Sequence, residues 1–151
     1  MLASIQRFFQ QALAEPEQHD DQAPTLELAT AALLCEVIRA DYHEDPAQLD
    51  ALREMLHDTF GLEDEALDEL MAMAREEVES SVDHYQFVSL IKQHYDYPKR
   101  CELVRMMWRL ALADGVHHHL EEHRIRQLAE LLHVGHADFI RAKLRVQEGQ
   151  A

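Results

Sequence analysis

The sequence predicts an all-α fold, a compact bundle of about seven to eight helices, and three observations support this class. Apolar residues recur at the three- and four-residue spacing of amphipathic helices along most of the 151 residues. Only 4 Gly and 4 Pro are present, which leaves few places for turns. No segment alternates apolar and polar residues as a half-buried strand does. A chain of this length is expected to fold around one main core.

The first predicted helix is amphipathic and is followed by an acidic linker. Leu2, Ile5 and Leu13 lie on one face of this helix, and the linker EPEQHDDQAP comes directly after it. We therefore divide the chain into an N-terminal helix with its acidic linker, residues 1–22, and a helical domain, residues 23–148.

The second and third predicted helices have recognisable ends. Thr25 is suited to cap the second helix, which extends to Asp41. The third helix follows the N-cap residue Asp45 and has proline in its first position, and Gln48 is placed to close a capping box. Gly61 is suited to the left-handed conformation that ends this helix.

Five further helices are predicted mainly from apolar spacing. The helix that contains Trp108 is expected to be the central one, and Tyr85 and Leu144 are expected to face the core from two other helices. The predicted spans are about 63–80, about 83–95, from Pro98 to before Gly115, about 119–133, and a last helix that ends near Val146.

Two parts of the chain resemble each other when they are aligned with a shift of roughly 73 residues. The segment CEVIRADYHEDPAQLDALREML matches WRLALADGVHHHLEEHRIRQLA, and each consists of a helix, an Ala-Asp pair, an acidic loop and a second helix. Asp41 aligns with Asp114. This weak internal repeat predicts that the two Asp-bearing loops occupy comparable places in the bundle.

The net charge of -15 restricts the classes of partner. Binding to a nucleic acid depends on Lys and Arg that displace counterions, so we expect no nucleic-acid partner. The negative charge suits a protein partner with a basic surface or a cation, and a solvated acidic surface without a specific role explains it equally well.

The chain has no convincing targeting or membrane segment. Gln6 and Arg7 interrupt the apolar stretch that a signal peptide requires, and no run approaches the roughly 20 apolar residues that cross a bilayer. Cys35 and Cys101 form no CxxC pair, and we expect both to be free buried thiols. These observations predict a cytoplasmic protein without membrane insertion.

Acidic residues cluster where successive helices meet in both repeats. Asp41 and Asp114 follow helix C-termini, where free carbonyl groups already carry partial negative charge and a bound cation would relieve the conflict. Glu121 lies one turn before Ile125, on the inward edge of its helix, where a carboxylate requires a partner. Helix capping and turn hydrogen bonds are the alternative roles of these acids. The candidate metal ligands are Asp41, Glu44, Asp45, Asp114, Glu121 and Glu122, with His119 as an optional ligand.

The nature of the metal depends on which of these ligands take part. Oxygen ligands alone favour calcium or magnesium, whereas a histidine ligand favours zinc or another transition metal. His119 and His123 also spell H-x-x-E-H, which resembles an inverted zincin protease motif, but only 28 residues follow His123. The chain has no Gly-rich phosphate loop and no G-x-S-x-G motif, so we expect neither an enzyme nor an organic cofactor.

The segment LALADGVHHHLEEHRIRQLAELL resembles the tellurite resistance TerB family. In that family an all-helical domain ends one helix with Ala-Asp-Gly and begins the next with a glutamate. Asp114, Gly115 and Glu121 stand at the matching places, and VIRADYHEDPAQLDALREML resembles the corresponding first loop. The sequence departs from the family pattern at Tyr42, where Gly is common, and at Gln48, where an acid would match.

The resemblance covers roughly residues 26–145. It implies an acidic surface that binds a divalent metal and an association with tellurite resistance or a stress response. It also implies a relation to a domain attached to a membrane-anchored DnaJ-like co-chaperone, and it does not imply an enzyme.

Two hypotheses about function follow from the sequence. The first is a non-catalytic TerB-like domain that binds a divalent cation through its acidic inter-helix loops. The alternative is a metal-independent protein-interaction module that docks through its acidic helices or through the amphipathic helix from Leu2 to Leu13.

Overall fold

The computed structural model describes residues 25–41, 45–80, 85–115 and 119–149. Within these ranges the chain forms seven α-helices and one 3₁₀ turn, without strands, which confirms the predicted all-α bundle. The predicted helix from Leu2 to Leu13 lies outside the described residues. The elements are α1 (Leu26–Ile38), the 3₁₀ turn (Arg39–Asp41), α2 (Pro46–Phe60), α3 (Asp64–Ser80), α4 (Tyr85–His94), α5 (Tyr97–Ala111), α6 (His119–Leu131) and α7 (His136–Gln147).

Local side-chain chemistry sets the ends of the first helices. The Thr25 hydroxyl accepts a hydrogen bond from the backbone N–H of Leu28 at 3.2 Å, as predicted for the cap of α1. Asp45 accepts from the N–H of Ala47 at 2.8 Å and so caps α2. Gly61 ends α2 with φ of 69°, in the left-handed region that glycine adopts without steric strain.

The α5 helix begins one residue earlier than its proline indicates. Asp96 is its N-cap, and the carboxylate of Asp96 accepts a hydrogen bond from the N–H of Lys99 at 3.1 Å. Tyr97 is therefore the first helical residue, and Pro98 occupies the second position of the first turn, where its missing N–H costs no intrahelical hydrogen bond.

The central helix of the bundle is α1, and the prediction that α5 is central was wrong. Ten of the 13 residues of α1 are buried, and the helix contacts α2, α3, α4, α5 and α6. Three small residues, Ala29, Ala31 and Ala32, are fully buried on it. Small side chains allow neighbouring helices to approach on several sides, and a helix that is apolar on all sides is one that is surrounded.

The internal repeat is visible in the arrangement of the helices. The first repeat comprises α1, α2 and α3, and the second comprises α5, α6 and α7. The α1 helix packs against α3 as α5 packs against α7, and the cross-contacts α1–α6 and α2–α5 are also equivalent. The α2 helix begins at Pro46 and α6 begins at His119, at the sequence shift that separates the two repeats. The two repeats therefore share one core.

Two residues predicted to face the core are exposed. Tyr85 is 60% exposed and Leu144 is 47% exposed. Each lies in a terminal turn of its helix, where apolar spacing does not show whether a neighbouring helix extends far enough to cover the side chain. Cys35 is buried as predicted, but Cys101 is only half-buried, and both are free thiols.

Within the described ranges, no helix combines the length and the apolar composition that crossing a bilayer requires.

Candidate functional site

A buried carboxylate lies where the two repeats meet. Glu121, in the first turn of α6, is 1% exposed, and among the described residues it is the one charged side chain in the interior. Gln48, in the first turn of α2, is also 1% exposed. The amide nitrogen of Gln48 donates a hydrogen bond to Oε2 of Glu121 at 2.8 Å. We call this contact the inter-repeat pair.

The inter-repeat pair joins equivalent positions of the two repeats. Gln48 and Glu121 are 73 residues apart, which is the shift that aligns the repeats. Each side chain leaves the first turn of the second helix of its repeat and points to the other repeat. The prediction that Glu121 faces inward and requires a partner is therefore confirmed, and the partner is an amide donor.

Gln48 makes this longer-range contact instead of closing the predicted capping box. Asp45 caps α2 through Ala47, while the amide nitrogen of Gln48 is directed across the bundle to Glu121. A hydrogen bond to a carboxylate is stronger than one between neutral groups, and a buried carboxylate left without donors is costly. The free energy of the folded state is therefore lower with the amide directed to Glu121.

The first Asp-bearing loop approaches the helix that carries Glu121. The 3₁₀ turn that ends at Asp41 packs against α6. Glu44 lies outside the described residues. The 3₁₀ turn of the first repeat therefore lies against the second helix of the other repeat.

The second Asp-bearing loop closes tightly after α5. The N–H of Gly115 donates to the carbonyl of Leu112 at 2.9 Å, and Gly115 has φ of 79°. Asp114 is half-buried in this turn. Glycine is favoured at this position because a residue with a side chain is strained in that conformation.

Three other predicted ligands have different surroundings. Asp45 accepts from the backbone of its own helix. Glu122 is half-buried, with Lys143 Nζ at 3.1 Å from Oε1 and Arg126 at 3.7 Å from Oε2. His119 is the first residue of α6 and is exposed, and His123, one turn later, is also exposed. Asp45 therefore acts as a helix cap, Glu122 belongs to an ion-pair network, and His119 lies in an exposed first turn.

The donor chemistry at the inter-repeat pair fits a hard cation better than zinc. The carboxylate of Glu121 and the amide of Gln48 offer oxygen ligands, and His119, the one histidine among the predicted ligands, is exposed. Within the ranges that the structure covers, no group of three or more His, Cys, Asp or Glu side chains is gathered as in a complete metal centre. Gln48 is the site residue that sequence reasoning missed, although the repeat alignment places it opposite Glu121.

A separate cavity of about 530 Å³ lies at the other end of α2. Leu26, Phe60 and Met106 contribute apolar surface to it, while Glu102 and Arg109 form an ion pair at 3.6 Å on its wall. It is not part of the inter-repeat pair and shares no residue with the predicted metal ligands.

Comparison with known proteins assigns the family. A family model described as tellurite resistance protein TerB matches residues 27–144, which extend from the start of α1 to the last turn of α7. No curated protein and no solved structure matches the chain. The matched region contains both repeats and the inter-repeat pair. The chain therefore belongs to the TerB family of tellurite resistance proteins.

Proposed function

We propose that this TerB-family chain is a non-catalytic domain that binds a divalent cation where the two repeats meet, with Asp114 and Glu121 as its main ligands. The observation that carries the proposal is the burial of Glu121 to 1% exposure beside the equivalent residue of the other repeat. A carboxylate is retained in a protein interior when a cation or hydrogen bonds stabilise its charge. Membership of the family supports an association with tellurite resistance or a stress response.

The remaining predicted ligands are ranked by their surroundings. Asp41 and Glu44 belong to the loop of the repeat whose 3₁₀ turn packs against α6, so they are assigned supporting roles. Asp45 and Glu122 are engaged by a helix N-terminus and by basic side chains, and His119 is exposed. An oxygen-only ligand set favours calcium or magnesium over zinc.

Calorimetry on metal-stripped protein tests the proposal. Titration with calcium or magnesium is expected to give a saturable binding isotherm for the wild-type chain. The Asp114→Asn/Glu121→Gln variant is expected to lose it, because both substitutions remove ligand charge while keeping side-chain size. Silence from the wild-type chain with both metals would falsify cation binding.

A matched control separates loss of ligands from loss of negative charge. Asp58→Asn/Glu130→Gln changes the net charge by the same amount at two exposed positions of α2 and α6. This variant is expected to bind as the wild-type chain does. Equal weakening in both variants would mean that the general acidic field, and not the inter-repeat site, attracts the cation. Circular dichroism of all three proteins establishes that each is folded.

A second candidate function is docking of a basic partner, and the surface of α2 and α3 favours it. Ten exposed carboxylates lie on these helices and their connection, against two half-buried arginines, Arg53 and Arg75. Such a field attracts a basic surface without a metal. The exposed acids are Asp50, Glu54, Asp58, Glu63, Asp64, Glu65, Asp68, Glu69, Glu76 and Glu79.

Affinity capture in chelator and in salt distinguishes docking from cation binding. A partner held in chelator and released by salt supports docking, whereas release by chelator supports the metal site. Glu65→Lys/Glu69→Lys on α3 is expected to abolish salt-sensitive capture. Glu130→Lys/Glu148→Lys, at exposed positions outside α2 and α3, is expected to preserve it.

A further inference from the structure

Positive charge is concentrated on two helices of this acidic chain. Half of the 14 Lys and Arg residues lie on α5 and α7, which pack against each other. The chain as a whole carries a net charge of -15, so the α5–α7 pair stands apart electrostatically from α2 and α3. The seven residues are Lys99, Arg100, Arg105, Arg109, Arg141, Lys143 and Arg145.

A cavity of about 160 Å³ lies between these two helices. Three arginines and one aspartate line it, together with a cysteine and an alanine. We call it the arginine pocket, and its residues are Cys101, Arg105, Asp138, Arg141, Ala142 and Arg145.

The arginines of this pocket are not all neutralised by neighbouring acids. Arg105 is hydrogen-bonded to Glu102, and Arg141 is hydrogen-bonded to Asp138. Arg145 forms no hydrogen bond or ion pair with any residue that the structure describes. The lining therefore keeps positive charge that a bound anion would balance.

The walls of the arginine pocket are held in place by Tyr97. Its hydroxyl donates to Oδ2 of Asp138 at 2.6 Å and accepts from the N–H of Gly135 at 3.0 Å. These bonds fix the first turn of α5 to the start of α7. The three arginines are thus carried by two helices that these hydrogen bonds hold together.

We propose that the arginine pocket binds a small dianionic oxyanion of the phosphate type, either free or as the phosphoryl group of a phosphomonoester. Guanidinium groups can donate two parallel N–H bonds to an oxyanion, and three arginines line this cavity. The cavity is smaller than the roughly 300–1,000 Å³ that typical organic ligands occupy, so a single phosphoryl group fits where a nucleotide does not. This proposal is independent of cation binding at the inter-repeat pair.

Alkylation of Cys101 reports occupancy of the pocket directly. Cys101 lines the cavity and is half-buried, whereas Cys35 is 1% exposed. Because burial raises the pKa of the Cys101 thiol, the reaction is run at about pH 8.5 with neutral iodoacetamide. The measurement is the rate of Cys101 modification by mass spectrometry in inorganic phosphate and in sodium chloride of equal ionic strength.

Phosphate is expected to slow Cys101 alkylation about threefold or more at saturation, because a bound oxyanion covers the thiol. Arg141→Gln/Arg145→Gln is expected to abolish this protection. Arg39→Gln/Arg53→Gln removes the same charge from two positions outside the pocket and is expected to retain the protection. Equal rates in phosphate and chloride, or protection that persists in the pocket variant, would overturn the proposal.

Phosphoserine as a second probe identifies the source of the oxyanion. Slowing by both phosphate and phosphoserine supports a pocket that accepts a phosphoryl group attached to a larger molecule. Slowing by phosphate alone supports a free-ion site. The absence of slowing by either probe rejects the oxyanion pocket.

Discussion

At the scale of single residues, the contact between Gln48 and Glu121 shows why one repeat carries an amide where the other carries an acid. Two carboxylates at these equivalent buried positions would repel each other unless a proton or a cation lay between them. An amide in the first repeat removes one charge and supplies a donor at 2.8 Å. The two repeats are therefore joined at this point by a hydrogen bond.

Replacing Gln48 with leucine tests this role. Gln48→Leu keeps most of the side-chain volume but removes the donor to a buried carboxylate, so the free energy of unfolding is expected to fall by about 1–3 kcal/mol. Urea denaturation measures the change. Gln127→Leu, at an exposed position of α6, is the matched control and is expected to change stability far less. Equal effects of the two substitutions would contradict a stabilising inter-repeat pair.

Glu77 on α3 gives a prediction about pH. Burial raises the pKa of its carboxyl group, and the negative charge of Glu76 adds to the rise. The folded state therefore takes up this proton at a higher pH than the unfolded state does, so ionisation lowers stability as pH rises through the folded pKa. Glu77→Gln is expected to raise Tm at about pH 7, with the gain disappearing below about pH 4, where both states are protonated.

Thermal unfolding monitored by circular dichroism across this pH range measures the effect. Glu65→Gln, at an exposed position of the same helix, is the control and is expected to leave Tm nearly unchanged. A Tm gain for Glu77→Gln that is the same at acidic and neutral pH would show that ionisation is not its cause.

At the scale of elements, the two repeats end their second helices with the same backbone conformation but different residues. Gly61 follows α2 with φ of 69°, and His133 follows α6 with φ of 60°. Glycine adopts this conformation freely, whereas a residue with a Cβ atom is strained in it. A Cβ atom at Gly61 would contact nothing within 4 Å, so backbone strain alone distinguishes the two positions.

Reciprocal substitutions test this difference. Gly61→Ala is expected to lower the free energy of unfolding by about 1 kcal/mol, and His133→Gly is expected to raise it by up to about 1 kcal/mol. Denaturant unfolding of the two variants measures both changes. Two shifts in the same direction would refute the argument from backbone conformation.

These helix ends also show which parts of the fold can be predicted from the sequence. The start and end of α2 were predicted because Asp45 and Gly61 act within one turn of their own positions. The central place of α1 was not predicted, because its burial depends on α5 and α6, which follow much later in the chain. Apolar spacing identifies the inward face of a helix and not the number of helices that surround it.

The candidate site likewise has one part that the local sequence predicts and one part that depends on long-range packing. The inward direction of Glu121 followed from its place one turn before Ile125, which is a local relation. Its contact with Gln48 joins residues 73 positions apart and depends on how the repeats face each other. His119 lies two residues before Glu121 in the same turn of α6, so the spacing that directs Glu121 inward places His119 on the opposite, exposed side.

At the scale of the whole molecule, both repeats depend on a single core. The α1 helix of the first repeat contacts α5 and α6 of the second. Trp108 of α5 is fully buried, with its ring centroid 5.4 Å from that of Phe139 on α7. Neither repeat can therefore lose its structure without uncovering apolar surface of the other.

This shared core predicts one cooperative unfolding transition. Trp108 is the only tryptophan of the chain, so its fluorescence reports the second repeat, while circular dichroism reports all helices. The two signals are expected to give the same midpoint and slope in urea. A fluorescence transition that is separate from the loss of helix would mean that the repeats unfold independently.

The enclosed position of α1 has a consequence for synthesis on the ribosome. The α5 helix begins roughly 60 residues after α1 ends, so at about 5–20 residues per second part of α1 emerges several seconds before its partners. The part of its apolar surface that α5 and α6 cover is open during that interval. Pauses in translating the second half are therefore expected to prolong the exposure of this surface and to favour aggregation.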